Sequence, residues 1–270
     1  MGGKTEFNFK SLSRLLSIYA MAWLVAAAIL PLQSAGAQTA SGSDVPNSIS
    51  SAPNDSEIDA AAQRLKASLS PELLQNFGLF LYIDKAEHGP LAQRMYVFEK
   101  TGDGDLALLY DWPVSTGRER IERDAHGRVQ YSGTPLGFFE LDPKRFFVDH
   151  DSSQYDEPMP YAMFFDWKPG GHKTGLAIHG TTDENLDVLG SPASAGCVRL
   201  SVDNAHTLFD LVANEFRGPS PKLAYLDGQT GVSSEGLLVH APDGSLQRTD
   251  GYSVLVLIDD FGGEERISAL

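Results

Sequence analysis

The 270-residue sequence contains a single cysteine, Cys197, so the chain cannot form an internal disulfide. A lone thiol is a small buried residue, a site of intermolecular pairing or a nucleophile. The scattered histidines show no ligand spacing with cysteine or carboxylates, and no glycine-rich segment has the pattern of a phosphate loop. The sequence therefore predicts no metal and no other cofactor, and the surroundings of Cys197 have to decide its role.

Positive charge is also scarce, with 21 Lys and Arg residues against 36 Asp and Glu residues and a net charge of −15. A surface this acidic repels phosphate backbones, so nucleic acid is not an expected partner. Hydrophobic residues make up 42% of the chain, which is enough for a packed core and too much for a disordered chain.

The sequence has only one long apolar run, at residues 15–30, which follows three basic residues and precedes a small-x-small pattern at 35–37. These features are typical of a secretory signal peptide, so we predict that residues 1–37 are removed by cleavage after Ala37. The alternative is an uncleaved membrane anchor, because about 16 apolar residues approach the length of a spanning helix. Either way, the sequence predicts an exported protein of the periplasm or cell envelope.

Residues 38–77 are predicted to form a flexible tether followed by a short helix over 57–69, which Pro71 ends. Beyond them, short runs of aromatic and β-branched residues alternate with Gly and Pro turns, which predicts an antiparallel, mainly β fold. Predicted strands lie at 79–84, 94–99, 106–110, 163–166 and 176–179. Pro113 indicates an edge strand or a bulge.

One helix is predicted in the central part of the chain, beginning after Ser201 and ending before Gly218. Residues 218–270 are predicted to form a β-rich C-terminal extension with a hairpin near 237–244 and an apolar strand over 252–258.

The informative segment for chemistry surrounds Cys197, which follows Gly196 and lies just before the predicted helix. The thiolate is the reactive form, and an unassisted thiol with a pKa of about 8.5 is mostly protonated at neutral pH. A nearby imidazole, the guanidinium of Arg199 and the positive helix end would each favour the thiolate. Gly196 permits close backbone approach, so N–H groups around Gly196 and Cys197 are predicted to hold an oxyanion.

His179 ends an apolar strand and is followed by Gly180, which predicts an imidazole at the rim of the sheet. The loop between His179 and Cys197 contains Gly190 and Pro192 and is long enough to bring them together. His179 is then either the base for the thiol or a rim histidine with a structural hydrogen bond.

Together these residues resemble the L,D-transpeptidase (YkuD-like) catalytic domain. Its pattern is His-Gly, a variable loop, then Ser-x-Gly-Cys followed by a hydrophobic residue and Arg or Asn. The matching residues are His179-Gly180 and Ser194-Ala195-Gly196-Cys197-Val198-Arg199, with further similar segments at 113–117, 134–137 and 160–163. The resemblance covers about residues 78–216, and it implies a catalytic domain over 78–217 with a sandwich- or barrel-like sheet and a helix after the cysteine.

The resemblance implies that His179 activates Cys197, which attacks the amide between the third residue of a peptidoglycan stem tetrapeptide and its terminal D-alanine. A neighbouring stem peptide, a lipoprotein lysine or water would resolve the thioester, giving a 3–3 cross-link, an anchored protein or L,D-carboxypeptidase activity. It also implies that the Gly180 carbonyl orients His179 and that carbapenems inhibit.

The resemblance implies supporting roles for three further residues. Arg199 shapes the pocket or holds a substrate carboxylate, or else forms a structural ion pair. Ser194 positions the loop at the substrate site by hydrogen bonding. Tyr161 contacts substrate or serves in packing.

One position departs from the family pattern, because Ala195 stands where many members have a second histidine, and this leaves the acceptor open. Two other functions compete with acyl transfer. A papain-like endopeptidase is disfavoured because its cysteine precedes its histidine in the chain. A non-catalytic wall-binding module would keep the fold without needing the thiol.

Overall fold

The computed structural model describes residues 54–225 and 234–262, so the predicted signal peptide and most of the predicted tether lie outside the described residues. Helix α1 spans Asp55–Ser68 and confirms the helix predicted at 57–69. It begins at Asn54, whose side chain accepts from the Glu57 amide while the Glu57 carboxylate accepts from the Asn54 amide. Pro71 does more than end this helix, because it is the first residue of a second one, α2, Pro71–Asn76.

The rest of the described chain is mainly β with one long helix, as predicted. The strands are β1 Leu79–Asp84, β2 Arg94–Lys100, β3 Leu106–Pro113, β4 Ile121–Arg123, β5 Val129–Tyr131, β6 Gly137–Phe139, β7 Leu141–Phe147, β8 Ala162–Phe165, β9 Ala177–Gly180, β10 Val198–Leu200, β11 Arg217–Pro221, β12 Arg248–Tyr252 and β13 Val254–Asp259. Helix α3, Val202–Glu215, follows β10, and its cap is the predicted Ser201.

The five-stranded sheet has the order β3-β2-β1-β13-β6, which confirms that Pro113 lies in an edge strand. The strand predicted at 252–258 is divided into β12 and β13, and β13 lies between β1 and β6. A strand that the sequence placed in a C-terminal extension is thus an interior strand of this sheet.

The prediction of antiparallel pairing does not hold at two places. Strand β13 runs parallel to β1, and β10 runs parallel to β9 in the four-stranded sheet β10-β9-β8-β7. Both pairs join strands separated by a long connection rather than a tight turn, which is the condition for parallel pairing.

The two sheets and α3 share one hydrophobic core. Alternate residues of β1 and β2 meet side chains from β8, β9 and β10 and the apolar stripe of α3. The opposite face of β1 and β2 is covered by α1 and α2, so every residue of β1 is buried. This packing fixes β9 and β10, the strands next to the two candidate catalytic residues. Within the described residues, no helix has the length and apolar character that crossing a membrane requires.

Candidate active site

His179 and Cys197 are brought together by the parallel pair β9 and β10. The register places Arg199 directly beside His179, and Cys197 immediately precedes β10. Because alternate residues of a strand share a face, Cys197 projects on the same side as Arg199. The structure therefore brings the predicted thiol and the predicted imidazole to the same face of one sheet.

All three of these side chains line an open cavity of about 1120 Å³. Its other walls come from β5, the loop between β7 and β8, and the segment between β8 and β9. Its lining includes Lys85, Glu119, Arg128, Thr134, Arg145, Tyr155, Glu157, Lys173, Gly175, Leu176 and Ala195. A cavity of this size admits a peptide-sized ligand.

The His179 ring is only 4% exposed, and its Nδ1 lies 2.7 Å from the carbonyl oxygen of Gly180. Since a carbonyl can only accept, Nδ1 carries the proton and donates it, which leaves Nε2 as the basic nitrogen. Burial, with smaller contributions from the charges of Arg199 and His150, lowers the pKa of His179 to about 4 against the opposing effect of the Gly180 hydrogen bond. The imidazole is thus neutral at pH 7, as a base must be.

The Cys197 thiol is partly exposed and lies 3.5 Å from the carbonyl oxygen of Gly175. Burial raises the pKa of this thiol above its ordinary value, and the Ala177 amide and the Arg199 charge only partly offset that effect. Of the features expected to favour the thiolate, the Arg199 charge does lower the pKa of the thiol, but desolvation outweighs it. The resting pair is a neutral thiol and a neutral imidazole.

The turn before Cys197 is held by Ser194 and Thr134. The Ser194 hydroxyl donates to the Cys197 carbonyl at 2.6 Å and accepts from the Gly196 amide at 3.0 Å. The Thr134 hydroxyl donates to the Gly196 carbonyl at 2.8 Å. Ser194 thus positions the loop, as its hydrogen-bonding interpretation predicted. The Gly196 amide is already engaged, which argues against its predicted use as an oxyanion donor.

Gly196 has a conformational role instead. Its φ of +125° is one that side chains rarely adopt, and an added Cβ would lie 3.0 Å from both the Gly133 carbonyl oxygen and a Leu176 methyl. Glycine is required here so that the chain can turn into Cys197 against these neighbours.

The family model of the YkuD L,D-transpeptidase catalytic domain matches residues 80–236. The chain belongs to this family. Among solved structures, an L,D-transpeptidase from Xylanimonas cellulosilytica is 19% identical with a TM-score of 0.36, covering 68% of this chain and 61% of its own. L,D-transpeptidase 3 from Mycobacterium tuberculosis, in complex with a faropenem-derived adduct, is 13% identical with a TM-score of 0.34, covering 68% and 61%.

The helical cell shape determining protein Pgp2 from Campylobacter jejuni is 16% identical with a TM-score of 0.35, covering 68% of this chain and 48% of its own. The aligned part thus spans less than two thirds of each of these three structures. A search of curated proteins gave no match.

Arg199, the position after Cys-x in the YkuD pattern, forms an ion pair with Glu157, with Nη2 2.5 Å from Oε2. Of the two alternatives for Arg199, the structure shows the ion pair. Glu157 was not singled out from the sequence, and its proximity to Arg199 follows only from the packing of the β7–β8 loop on this wall.

Tyr161 is not brought to the cavity in this family member. Its φ of +54° turns the side chain toward α3, where its ring stacks on His206 with centroids 4.5 Å apart. Of the two alternatives for Tyr161, the structure shows the packing role. Tyr155 lines the cavity instead, and its sequence neighbourhood carried no signal.

Thr134 belongs to one of the segments similar to the family, but the sequence identified it only as part of a turn. The structure shows it buried, accepting from the Gly117 amide and donating to Gly196. Among the described residues, no group of three His, Cys, Asp or Glu side chains is arranged to hold a metal ion.

Proposed function

We propose that this member of the YkuD family is an exported cysteine acyltransferase that acts on peptidoglycan stem peptides. Cys197 is the nucleophile and His179 is the general base. One observation carries the proposal: a thiol and an imidazole of fixed tautomer line the same open cavity. Family membership supports the substrate class, since the matching family is that of L,D-transpeptidase catalytic domains.

In the first half-reaction, Nε2 of His179 takes the thiol proton while Sγ of Cys197 attacks the carbonyl carbon of the stem peptide's third residue. The tetrahedral intermediate collapses as the C–N bond to the terminal D-alanine breaks. The imidazolium returns its proton to the departing amine, so D-alanine leaves neutral at nitrogen and a thioester remains on Cys197.

In the second half-reaction, an acceptor amine attacks the thioester carbonyl and gives up a proton to His179, and the thiol is regenerated. The amine of a neighbouring stem peptide gives a 3–3 cross-link, and a lipoprotein lysine gives an anchored protein. Water in place of the amine gives hydrolysis. Ala195 lines the cavity where many family members have an imidazole, and we assign both proton transfers to His179.

The pKa directions fit this order of events. Because His179 is neutral above about pH 4 and the thiol is protonated, the proton moves only when the substrate carbonyl is in place. Gly180 contributes by fixing the tautomer, and a ring held through Nδ1 presents Nε2 to the cavity.

The test is to expose the mature protein to a carbapenem and to determine its intact mass. We expect an increase by one inhibitor on the wild type and none on Cys197→Ala. The adduct on the M. tuberculosis enzyme motivates the choice of a β-lactam probe. A wild-type protein that stays unmodified yet binds purified sacculi would favour the wall-binding module.

Incubation with sacculi then separates the outcomes of the second half-reaction. Muropeptide separation is expected to show new 3–3 cross-links, whereas conversion of tetrapeptides to tripeptides alone would indicate an L,D-carboxypeptidase. Amino-terminal sequencing of the exported protein tests the localisation, with Gln38 as the expected first residue.

A further inference from the structure

The positive charges along the cavity wall are matched by carboxylates except at one place in the described residues. The matched pairs are Lys85 with Glu119 at 2.9 Å, Arg128 with Asp124 at 2.7 Å, and Arg199 with Glu157 at 2.5 Å. Arg145 and Lys173, by contrast, share the single carboxylate of Asp142. In a chain with a net charge of −15, this leaves an excess positive charge on the wall of the cavity.

Asp142, Arg145 and Lys173 form a cluster whose geometry assigns that excess charge to Lys173. One oxygen of the buried Asp142, Oδ2, accepts from Arg145 at 2.8 Å and from Lys173 at 3.0 Å. The Nη1 and Nη2 groups of Arg145 donate to the carbonyls of Thr174 and Phe165, at 2.7 and 2.6 Å. The Lys173 side chain is 50% exposed, and its ammonium has further N–H groups to offer a ligand.

Lys173 lies close in the sequence to Gly175, the residue whose carbonyl contacts the thiol. Gly175, whose carbonyl contacts the Cys197 sulfur, is two residues after Lys173, so their Cα atoms are at most about 7 Å apart. Arg145 fixes the intervening residue through the Thr174 carbonyl. Lys173 is therefore anchored on the wall of the cavity that Cys197 also lines.

We propose that Lys173, anchored on Asp142 beside Arg145, binds the C-terminal carboxylate of the residue that leaves the acyl donor. This inference rests on the proposed function. In a peptide, that carboxylate is three bonds from the scissile carbonyl carbon, within about 4 Å. The scissile carbon has to approach the sulfur to about 3–3.5 Å, which brings the carboxylate into the cavity that Lys173 lines. The charge of Arg199 is matched by Glu157, whereas Lys173 shares Asp142 with Arg145, so we assign the carboxylate to Lys173 rather than to Arg199.

The subsite predicts a preference for donors with a free terminal carboxylate. Tetrapeptides that end in a free acid are accepted, and the same peptides with a terminal amide, or with a further residue that moves the carboxylate away, are disfavoured. The attraction is electrostatic and partly exposed, so it weakens as salt is added.

The test measures binding of a synthetic stem tetrapeptide ending in D-alanine, as the free acid and as the carboxamide, to full-length protein carrying Cys197→Ala. We expect the acid to bind about threefold to tenfold more tightly, the range of a half-exposed charge-assisted contact. Adding Lys173→Gln should reduce this preference to less than about twofold, and Lys173→Arg should restore it.

Lys168 provides the matched control, since it is a lysine of the same segment, 44% exposed, paired with Asp166 at 2.5 Å and not among the cavity residues. Lys168→Gln should keep the preference for the acid. The proposal is overturned if Lys173→Gln keeps that preference, if Lys168→Gln removes it equally, or if the parent protein binds neither peptide or both alike.

Release of D-alanine by the protein with Cys197 intact distinguishes this proposal from the one on which it rests. Release from the acid with an acid-to-amide ratio that Lys173→Gln leaves unchanged would refute the subsite alone. Binding that depends on Lys173 without any release of D-alanine would refute the acyl transfer and keep the subsite.

Discussion

His179 and Asp84 lie at the ends of strands in different sheets, and both side chains are buried. Burial disfavours the charged form of each, which lowers the pKa of His179 to about 4 and raises that of Asp84 to about 7. His179 faces the cavity, whereas Asp84 is enclosed by the turns after β1 and β13, accepting from the amides of Ala86 and Phe261. Burial thus keeps His179 neutral, as a base must be, and at Asp84 it lowers the stability of the charged folded protein.

Asp259, which lies directly across from Asp84 in the register of β1 and β13, shows what a partner cation changes. Burial raises its pKa, but hydrogen bonds from Arg64 at 2.6 Å and Tyr82 at 3.1 Å more than offset this, so its pKa lies below the ordinary value. The two carboxylates are neighbours with opposite shifts. Charge pairing, and not burial alone, decides which form each group keeps.

The prediction with the largest expected effect concerns His179, the proposed base that faces the cavity. His179→Gln should lower the rate of carbapenem adduct formation at pH 7 by about 100-fold or more, because the imidazole proposed as the general base is then missing. The rate is measured by intact mass over time. His206→Gln, on the exposed side of α3, serves as the control and should react at the wild-type rate. A loss of less than about tenfold for His179→Gln would remove the imidazole from the base role.

The second test concerns the resting protonation state. Because the pKa of the thiol is raised and His179 is neutral above about pH 4, alkylation of Cys197 by iodoacetamide should rise about tenfold per pH unit between pH 6 and 8. The rise should continue beyond about pH 8.5, the ordinary thiol value. His179→Gln should show the same slope. A plateau between pH 5 and 8 that His179→Gln abolishes would mean a resting thiolate–imidazolium pair.

Much of the site was predictable because its signals are local. Strand β9 ending at His179-Gly180, the Ser201 cap of α3 and the Ser-x-Gly-Cys turn each depend on residues close together in the sequence. The predicted hydrogen bond from His179 to the Gly180 carbonyl is confirmed for the same reason, since it joins adjacent residues.

What the sequence could not predict depends on pairs far apart in the chain. The insertion of β13 between β1 and β6 joins residues at opposite ends of the domain. The ion pair of Arg199 with Glu157 and the sharing of Asp142 by Arg145 and Lys173 follow from loop packing. The raised pKa of Cys197 follows from the burial that all of this packing creates.

A third test asks whether the turn before Cys197 requires glycine at position 196, as its φ and its close neighbours indicate. Gly196→Ala combines a φ of +125° with contacts at 3.0 Å, so it should lower the free energy of unfolding by about 2–4 kcal/mol and slow acylation strongly. Gly190→Ala has a φ of +91° with nothing within 4 Å, and should cost about 1–2 kcal/mol. Chemical denaturation measures both, and equal costs would show that backbone conformation alone matters at Gly196.

The smallest expected effect is on stability alone, and it compares Asp84 with its register partner Asp259. Folded Asp84 keeps its proton up to about pH 7, whereas an unfolded Asp releases it near pH 3.9, so this group makes the protein less stable as pH rises between these values. Asp84→Asn removes that slope and should be more stable than wild type at pH 8 by about 1–3 kcal/mol.

Asp259→Asn should behave in the opposite way. The pKa of Asp259 is lowered, so its stabilising contribution is present above about pH 4 and is lost as pH falls through the folded value. The variant should be less stable than wild type at pH 7 by about 1–3 kcal/mol, because the Arg64 guanidinium loses its carboxylate. Urea unfolding at pH 5, 6, 7 and 8 measures both variants. If Asp84→Asn were destabilised at pH 8 as much as Asp259→Asn, the folded protein would stabilise the charged form of Asp84, and burial without a partner cation would no longer explain the contrast between the two register partners.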